Sequence, residues 1–314
     1  VIPVRNDPRV AEVVGALQKQ LPADGEIVVA DDGTPGTLPP LPGGSVRVRI
    51  VPVHRGDPGA ARNEAVASSG GRILLFTDAD VILPPDWIAT AITLFEDPSV
   101  QAVQGNSRTR GKKALAALLD REYREFVQSH AATGFADMCD TRCFGIRREV
   151  FEQHPFEEAE PYTEDSDLGR RLFEAGIRIR FAPEWEVEHH ARGSLRQELI
   201  RFRGYASASQ RRLLRTGLDL FRAPGSSKPR GPGADLLRVA LRFPFTARAL
   251  SRGVWALARV LGRASEVPWG APAPIFLRAR RAAMLSGRLD PDEETQRRLA
   301  TPRPSRILAG RRAT

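Results

Sequence analysis

Cysteine is almost absent from this 314-residue chain, which has only Cys139 and Cys143. Two cysteines four apart make neither a disulfide framework nor a zinc-ligand set. Free thiols in a reducing, cytoplasmic setting are therefore expected, with a bridge between the two as the other reading. Aromatic residues are few, at 7%, and none interleave with the arginines as stacking platforms. That counts against a nucleic-acid-binding protein. No apolar run reaches the ~18 residues that span a bilayer. The sequence opens on Val1, already inside an apolar strand pattern, so a segment upstream of it is expected. Acid is scarce in the rear: residues 220–314 hold 19 Lys and Arg against 6 Asp and Glu, a net +13, whereas residues 1–219 hold 28 against 32, a net −4. A mildly acidic front suits chemistry, and a strongly basic rear suits an anionic partner.

What the front half does have is apolar strands that end in acids. In "RILLFTDADV", residues 73–76 read as a central strand covered on both faces, followed by Asp78 and Asp80. They fall at the carboxyl end of the strand, where open α/β sheets bind ligands. Two carboxylates that close repel one another, so a cation or a row of hydroxyls is expected between them. Residues 1–4 form a short strand, and residues 8–21 an amphipathic helix opening on proline. "EIVVADD" is a second strand, residues 46–51 a third, "PGAARNEAVASS" a helix stopped by Gly70 and Gly71, and residues 86–95 another helix. This β-α-β-α-β order predicts an α/β fold, a mostly parallel central sheet flanked by helices with the strand ends along one edge.

Further on, "VQAVQGNS" reads as a strand, residues 114–130 as a long helix, and "CFGIRR" as a strand entering a helix at Glu149. "EDSDLGRRLFEAG" reads as a helix ending at Gly176, then "IRIRFAP" and "EWEVEH" as two strands. Ser194 is placed as the cap of a basic helix running to Arg215. The Pro/Gly/Ser-rich stretch at residues 223–235 separates a front domain, 1–219, from a basic helical extension, 220–314. The last stretch, "TPRPSRILAGRRAT", reads as a disordered tail.

Singly these signals are ordinary. A DDG is most often a turn, and acids in a first helical turn most often complement the dipole. In order, however, "VIPVRND", "VVADDG", "GAARNEA" and "LLFTDADV" resemble the nucleotide-sugar half of family 2 glycosyltransferases, which have the GT-A fold. The resemblance runs over residues 1–215 and includes an ED-type motif at Glu164-Asp165. It implies a nucleotide-sugar-binding half at 1–107 and an acceptor and catalytic half at 108–219. It also implies a nucleoside-diphosphate sugar donor of the UDP or GDP type. Asp32 would contact the base, Arg62 and Asn63 would hold the nucleoside diphosphate, and Asp78 would touch the ribose. Asp80 would bind a divalent cation, Mn2+ or Mg2+, that bridges the diphosphate, with His189 of a V-x-H pattern as a further ligand. Asp165 would be the catalytic base with Glu164 in support, and Arg203 would reach phosphate. Asp167 is expected to face solvent. Thr34 stands where the family usually has serine. His154-Pro155 and Cys143 depart from the family pattern on the acceptor side.

Glycosyl transfer expels a nucleoside diphosphate, and a cation on its oxygens stabilises that leaving group without a proton. Carboxylates suit magnesium and manganese alike, and an imidazole tilts the choice towards manganese. The implied reaction is one in-line displacement with inversion, through an oxocarbenium-like transition state. A retaining transferase or a nucleotidyltransferase on the same fold is the alternative enzyme, and a basic nucleic-acid-binding protein the alternative outside enzymes. In the rear, Arg248, Arg252, Arg259 and Arg263 share one helical face, with Val254, Trp255, Leu257, Val260 and Leu261 on the other. This reads either as an interfacial helix on an anionic membrane or as a helix docked on the protein. The first reading goes with an acceptor hydroxyl that is lipid-linked or part of a cell-envelope precursor, and with a cytoplasmic protein held peripherally at the inner membrane face.

Overall fold

The computed structural model describes residues 1–110, 120–121, 123–124, 133–136, 138–158, 162–190, 195–216, 244–265 and 272–289. The front half alternates β1 (Ile2–Val4), α1 (Val10–Gln18), β2 (Glu26–Asp32), β3 (Arg47–Val53), α2 (Pro58–Ala67) and β4 (Ile73–Phe76). Strands β1, β2 and β3 pair in parallel. The strand period of two divides β2 between layers. Ile27 and Val29 pack with Val10, Val13, Val14 and Leu17 of α1, while Val28 and Ala30 pack with Ala61 and Ala65 of α2. The apolar run is explained by burial on both faces.

The remaining elements are β5 (Val81–Ile82), α3 (Trp87–Glu96), β6 (Ala102–Arg110), β7 (Phe135–Ala136), β8 (Phe144–Arg147), α4 (Arg148–Gln153), α5 (Glu164–Glu174) and β9 (Ile179–His190). Strands β4, β8, β6, β9 and β5 lie side by side in that order, with β7 also on β9. Here β6 and β9 are parallel, and β8, β5 and β7 pair antiparallel to their neighbours. Val1 joins the two sheets. Its backbone N–H donates to Leu75 O at 2.8 Å, and Thr77 N–H donates to Val1 O at 3.2 Å. Those two bonds are the pattern of a parallel bridge.

"IRIRFAP" and "EWEVEH" are one strand, β9, rather than two. Phe181 pairs with Gln104 and Glu186 with Asn106, so residues 182–185 bulge across Gly105 and absorb Pro183. A side chain on Gly105 would strike Cys143 Sγ and the Trp185 carbonyl. Trp185 stacks on Trp87 with centroids 5.1 Å apart and donates from Nε1 to Trp87 O at 2.9 Å. Both cysteines are buried free thiols.

Three helices complete the described chain: α6 (Leu195–Thr216), α7 (Pro244–Ser265) and α8 (Pro272–Arg288). A Cβ on Gly287 of α8 would collide with Arg203 O of α6, so the glycine sets their close crossing. Trp255 and Leu261 of α7 pack with Leu199 of α6 and with Ala279 and Ala283 of α8. Helix α7 is thus docked on protein through part of its apolar face. Among the described residues no helix is long and apolar enough to cross a membrane. The helix expected at 114–130 (apart from residues 120–121 and 123–124), the cap at Ser194, the stretch at 223–235 and the tail lie outside the described residues.

Candidate active site

The acids that close β2 and β4 face the amino end of α2. Asp57 caps that helix, its Oδ1 accepting from Gly59 N at 2.8 Å and Ala60 N at 3.0 Å, with Pro58 at the first helical position. Asp32, buried at the end of β2, accepts at Oδ1 from Arg55 N at 2.8 Å and Gly56 N at 2.9 Å. It therefore shapes the loop that leads into α2. Asp31 accepts from Thr34 N at 3.0 Å, and the Thr34 hydroxyl accepts from Asn6 N at 2.9 Å, tying the loops after β1 and β2 together.

Arg62, one turn into α2, is buried between two carboxylates. Nη1 donates to Glu164 Oε1 at 2.9 Å, and Nη2 donates to Asp78 Oδ1 at 3.0 Å. Burial works against its charge, but Asp78, Glu164 and Asp165 outweigh that and hold its pKa above the ordinary value. Its guanidinium lies 5.6 Å from the Phe156 ring centroid. Asn63 clamps the backbone of the same residue, donating to Phe156 O at 2.9 Å and accepting from Phe156 N at 3.0 Å. The two residues expected to hold a nucleoside diphosphate therefore hold the walls of the site.

Asp80 and His189 meet. Strand β5 pairs Val81 with His189, which sets His189 Nε2 3.2 Å from Asp80 Oδ2, with both side chains buried. Ligands bound at about 2.1 Å and at right angles around one octahedral ion sit about 3 Å apart, so the pair fits two neighbouring positions. Among the described residues no third histidine, cysteine or carboxylate joins them as a metal cluster. Arg9 Nη2 stands 3.7 Å from the same Asp80 oxygen, held by Asp7, which accepts from Arg9 Nε at 2.9 Å.

Glu164 and Asp165 open α5. Burial raises the Glu164 carboxyl pKa against the pull of Arg62, and Glu164 Oε2 is buried without a hydrogen-bond partner. Asp165 is pushed well above the usual carboxylate range by burial, then by the charges of Glu164 and Asp140. Its Oδ1 accepts from Ser166 N at 2.6 Å. A carboxylate tuned upwards is a stronger proton acceptor once ionised.

Two residues of this region carry no motif and were not anticipated. Asp140 caps a short 3₁₀ turn, Thr141–Cys143, and accepts from Arg142 Nε at 2.9 Å and from Tyr123 OH at 3.2 Å. Burial would raise its pKa, but Arg142 and, less strongly, His189 bring it below the ordinary value. Asp78 in turn adds to the charge preference of Arg142. Tyr205, from α6, also lies in reach of the Asp165 charge, its phenol raised to about 12 mainly by burial. An acid and a base two apart in "DTR" beside a strand was the available signal.

Two expectations are corrected. Asp167 does not face solvent: it is fully buried, accepts from Arg171 Nε at 2.8 Å and pairs with Arg212 of α6. Helix α6 lies over that face of α5 and replaces water there. Arg203 is not brought to the acids. Its Nε donates to Ser286 Oγ at 3.1 Å and its guanidinium lies 5.4 Å from the Trp255 ring, because that face of α6 packs on α7 and α8.

A parallel β-α-β half whose acids line one strand edge, joined to a mixed half that delivers Glu164, Asp165 and His189 to that edge, is a GT-A type glycosyltransferase fold. Residues 1–207 match the family described as "Glycosyltransferase like family 2", and the chain belongs to that family. It is 28% identical over 222 residues to the pre-mycofactocin glycosyltransferase of Mycobacterium tuberculosis, covering 67% of this chain and 46% of that protein. It is 26% identical over 203 residues to an O-antigen chain rhamnosyltransferase of Salmonella typhimurium, covering 60% of this chain and 65% of that one. The chain thus spans about half to two thirds of the length of these relatives. Among solved structures, a mannosyltransferase of Pyrobaculum calidifontis in complex with GDP-Man and Mn2+ superposes with a TM-score of 0.57 at 18% identity, covering 91% of this chain and 84% of that one. That likeness is one of fold.

Proposed function

We propose that this protein transfers a sugar from a nucleoside-diphosphate sugar to an acceptor hydroxyl, with inversion, using a divalent cation held at Asp80 and His189. The observation that carries the reading is the chain of contacts from Asp78 through Arg62 to Glu164. It locks the donor-side strand end to the helix that bears Asp165. Asp78 and Asp32, at strand ends on either side of β1, suit the ribose and the base. The cation, when bound, stabilises the departing diphosphate. Asp165, ionised, accepts the acceptor proton as that oxygen attacks the anomeric carbon. No covalent nucleophile is required, and the configuration inverts. GDP-mannose, the sugar nucleotide of the structural neighbour, and UDP-linked sugars are the first donors to test. The finer reading of the acceptor is a lipid-linked or cell-envelope hydroxyl, supported by the basic helices α7 and α8.

The test is a panel of UDP- and GDP-sugars with and without Mn2+, followed by NMR of the product anomer. Asp165→Asn is expected to lower transfer by about 10²–10⁴-fold while donor binding stays within a few-fold, and Asp80→Ala to remove the Mn2+ requirement together with activity. Retained configuration, or full activity of Asp80→Ala, overturns the proposal.

A further inference from the structure

Helices α7 and α8 together contain eight arginines and no acid. They also show water some of the largest apolar side chains left uncovered: Leu250, Leu257 and Val260 of α7 are 49%, 53% and 62% exposed, and Leu285 of α8 is 45% exposed. The three leucines are not scattered. Ser251 Oγ donates to Ser286 O at 2.9 Å, and Ser286 Oγ donates to Ser251 O at 3.0 Å. Ala258, seven residues after Ser251, clusters with Ala279, seven before Ser286, so the helices run antiparallel. In an antiparallel pair, the residues just before the two touching serines leave on the same side. Those are Leu250 and Leu285, and Leu257 follows Leu250 by two turns. The opposite side is closed by α6, where Arg203 reaches Ser286 and Trp255 and Arg280 lies over the Phe202 ring.

We propose that the Leu250, Leu257 and Leu285 ridge, with Arg281 and Arg278 four and seven residues before Leu285 on the same face of α8, is a docking face for a bilayer that contains anionic phospholipid. This deepens the reading of a lipid-linked acceptor, on which it rests, since it holds the chain at the surface that would carry such an acceptor. The charge argues for this occupant. Arg278 and Arg281, beside Leu285 on α8, are exposed, so a two-fold copy seated on the ridge would press like charges together. A nucleic acid would satisfy the arginines but leave the leucines in water, with no aromatic ring of the ridge to stack on a base. Anionic headgroups over an acyl boundary satisfy both. Arg203, paired with α7 and α8, thus belongs to the frame that holds this face. The orientation also has a route to the chemistry, because Arg212 of α6 pairs with Asp167 of the helix that carries Asp165.

The experiment is co-sedimentation of the full chain with phosphatidylglycerol–phosphatidylcholine vesicles, and with phosphatidylcholine alone, at low and high salt. The wild type should bind only the anionic vesicles, more weakly at high salt. Leu250→Ser/Leu257→Ser/Leu285→Ser should lower the partition coefficient by at least about tenfold. It should keep the wild-type melting temperature and wild-type donor hydrolysis. A second variant, Arg278→Gln/Arg281→Gln, should flatten the salt dependence, so misfolding of one variant does not hide the answer. If the wild type binds vesicles and the leucine variant binds them equally, the ridge assignment fails. Should the wild type bind duplex DNA or self-associate through these leucines while ignoring vesicles, the membrane reading fails, and the transferase reading stands or falls separately.

Discussion

Replacing Arg9 with methionine should tighten the binding of Mn2+, even though it removes a charged residue from the site. Arg9 Nη2 lies 3.7 Å from Asp80 Oδ2, the oxygen that also faces His189 Nε2 at 3.2 Å. A guanidinium there already offsets part of the negative charge that a cation would use. Two unit charges at 3.7 Å interact by about 4–5 kcal/mol at an effective dielectric constant near 20. The Arg9 side chain is 37% exposed, however, and it is shared with Asp7. Solvent screening and that second partner bring the effect down to about 1 kcal/mol, or about fivefold in Kd. Methionine keeps much of the side-chain length and loses only the charge. The assay follows free Mn2+ by its EPR signal during titration, first without nucleotide and then with UDP or GDP. About three- to tenfold tighter binding without nucleotide is expected, and Asp80→Ala should abolish it in either background. Unchanged or weaker affinity in Arg9→Met refutes the reasoning, for Asp80 would then not be the oxygen on which arginine and metal compete.

Two more outcomes follow from buried charge. Arg62→Ala strands Glu164 and Asp78 without their cation and should cost about 3–5 kcal/mol in urea denaturation; a loss below about 1 kcal/mol would show that the pair is solvated. Asp165 has its folded pKa raised by burial and by Glu164, so the folded state binds its proton more tightly than the unfolded chain does. Its contribution to stability is therefore greatest at low pH and is lost as pH rises from the ordinary carboxylate value through the raised one. Asp165→Asn should accordingly gain stability over the wild type as pH rises across that window, while the acid limb of wild-type transfer lies above the ordinary carboxylate range. Melting curves of the two proteins that stay parallel with pH contradict this.

The strand-end acids were legible because period-two burial and a carboxyl-edge position are both local properties. The apolar run at residues 73–76 and the acids after it occupy four to eight consecutive residues, within reach of pattern reading. The pairing of Asp80 with His189 could be suspected only from the family resemblance, since it spans 109 residues and depends on β5 meeting the far end of β9. Where the reading failed, a later segment had covered an earlier one. Two residues on from Asp165, Asp167 points away from the base, and helical geometry alone sends it to water. Helix α6 then supplies Arg212 in place of water. Arg203 failed for the converse reason. A basic helix gives no sign of which of its arginines meets a neighbouring helix, and it is Gly287, on another helix, that lets α8 approach that turn. Pro183 looked like a strand terminus because the bulge that absorbs it is set by Gly105 on another strand.

The charge inventory of the site ties these pieces to the metal. Six carboxylates gather here, Asp7, Asp78, Asp80, Asp140, Glu164 and Asp165, against three guanidiniums, Arg9, Arg62 and Arg142. Asp7 and Asp140 are matched by their own arginines, and Arg62 can offset only one of its two partners. Among the described residues these carboxylates outnumber the guanidiniums by three when all are ionised. A diphosphate is itself doubly anionic or more, so such a cleft repels its own donor unless positive charge arrives with it. Protonating Asp165 would relieve the excess, as its raised pKa shows, but a protonated base cannot accept the acceptor proton. On the proposed reading, Asp80 and His189 would hold a divalent ion whose positive charge would offset the excess, favour the diphosphate and bring Asp165 back towards ionisation. On this account donor binding and base activation are one electrostatic event, and the two should share a single dependence on cation concentration.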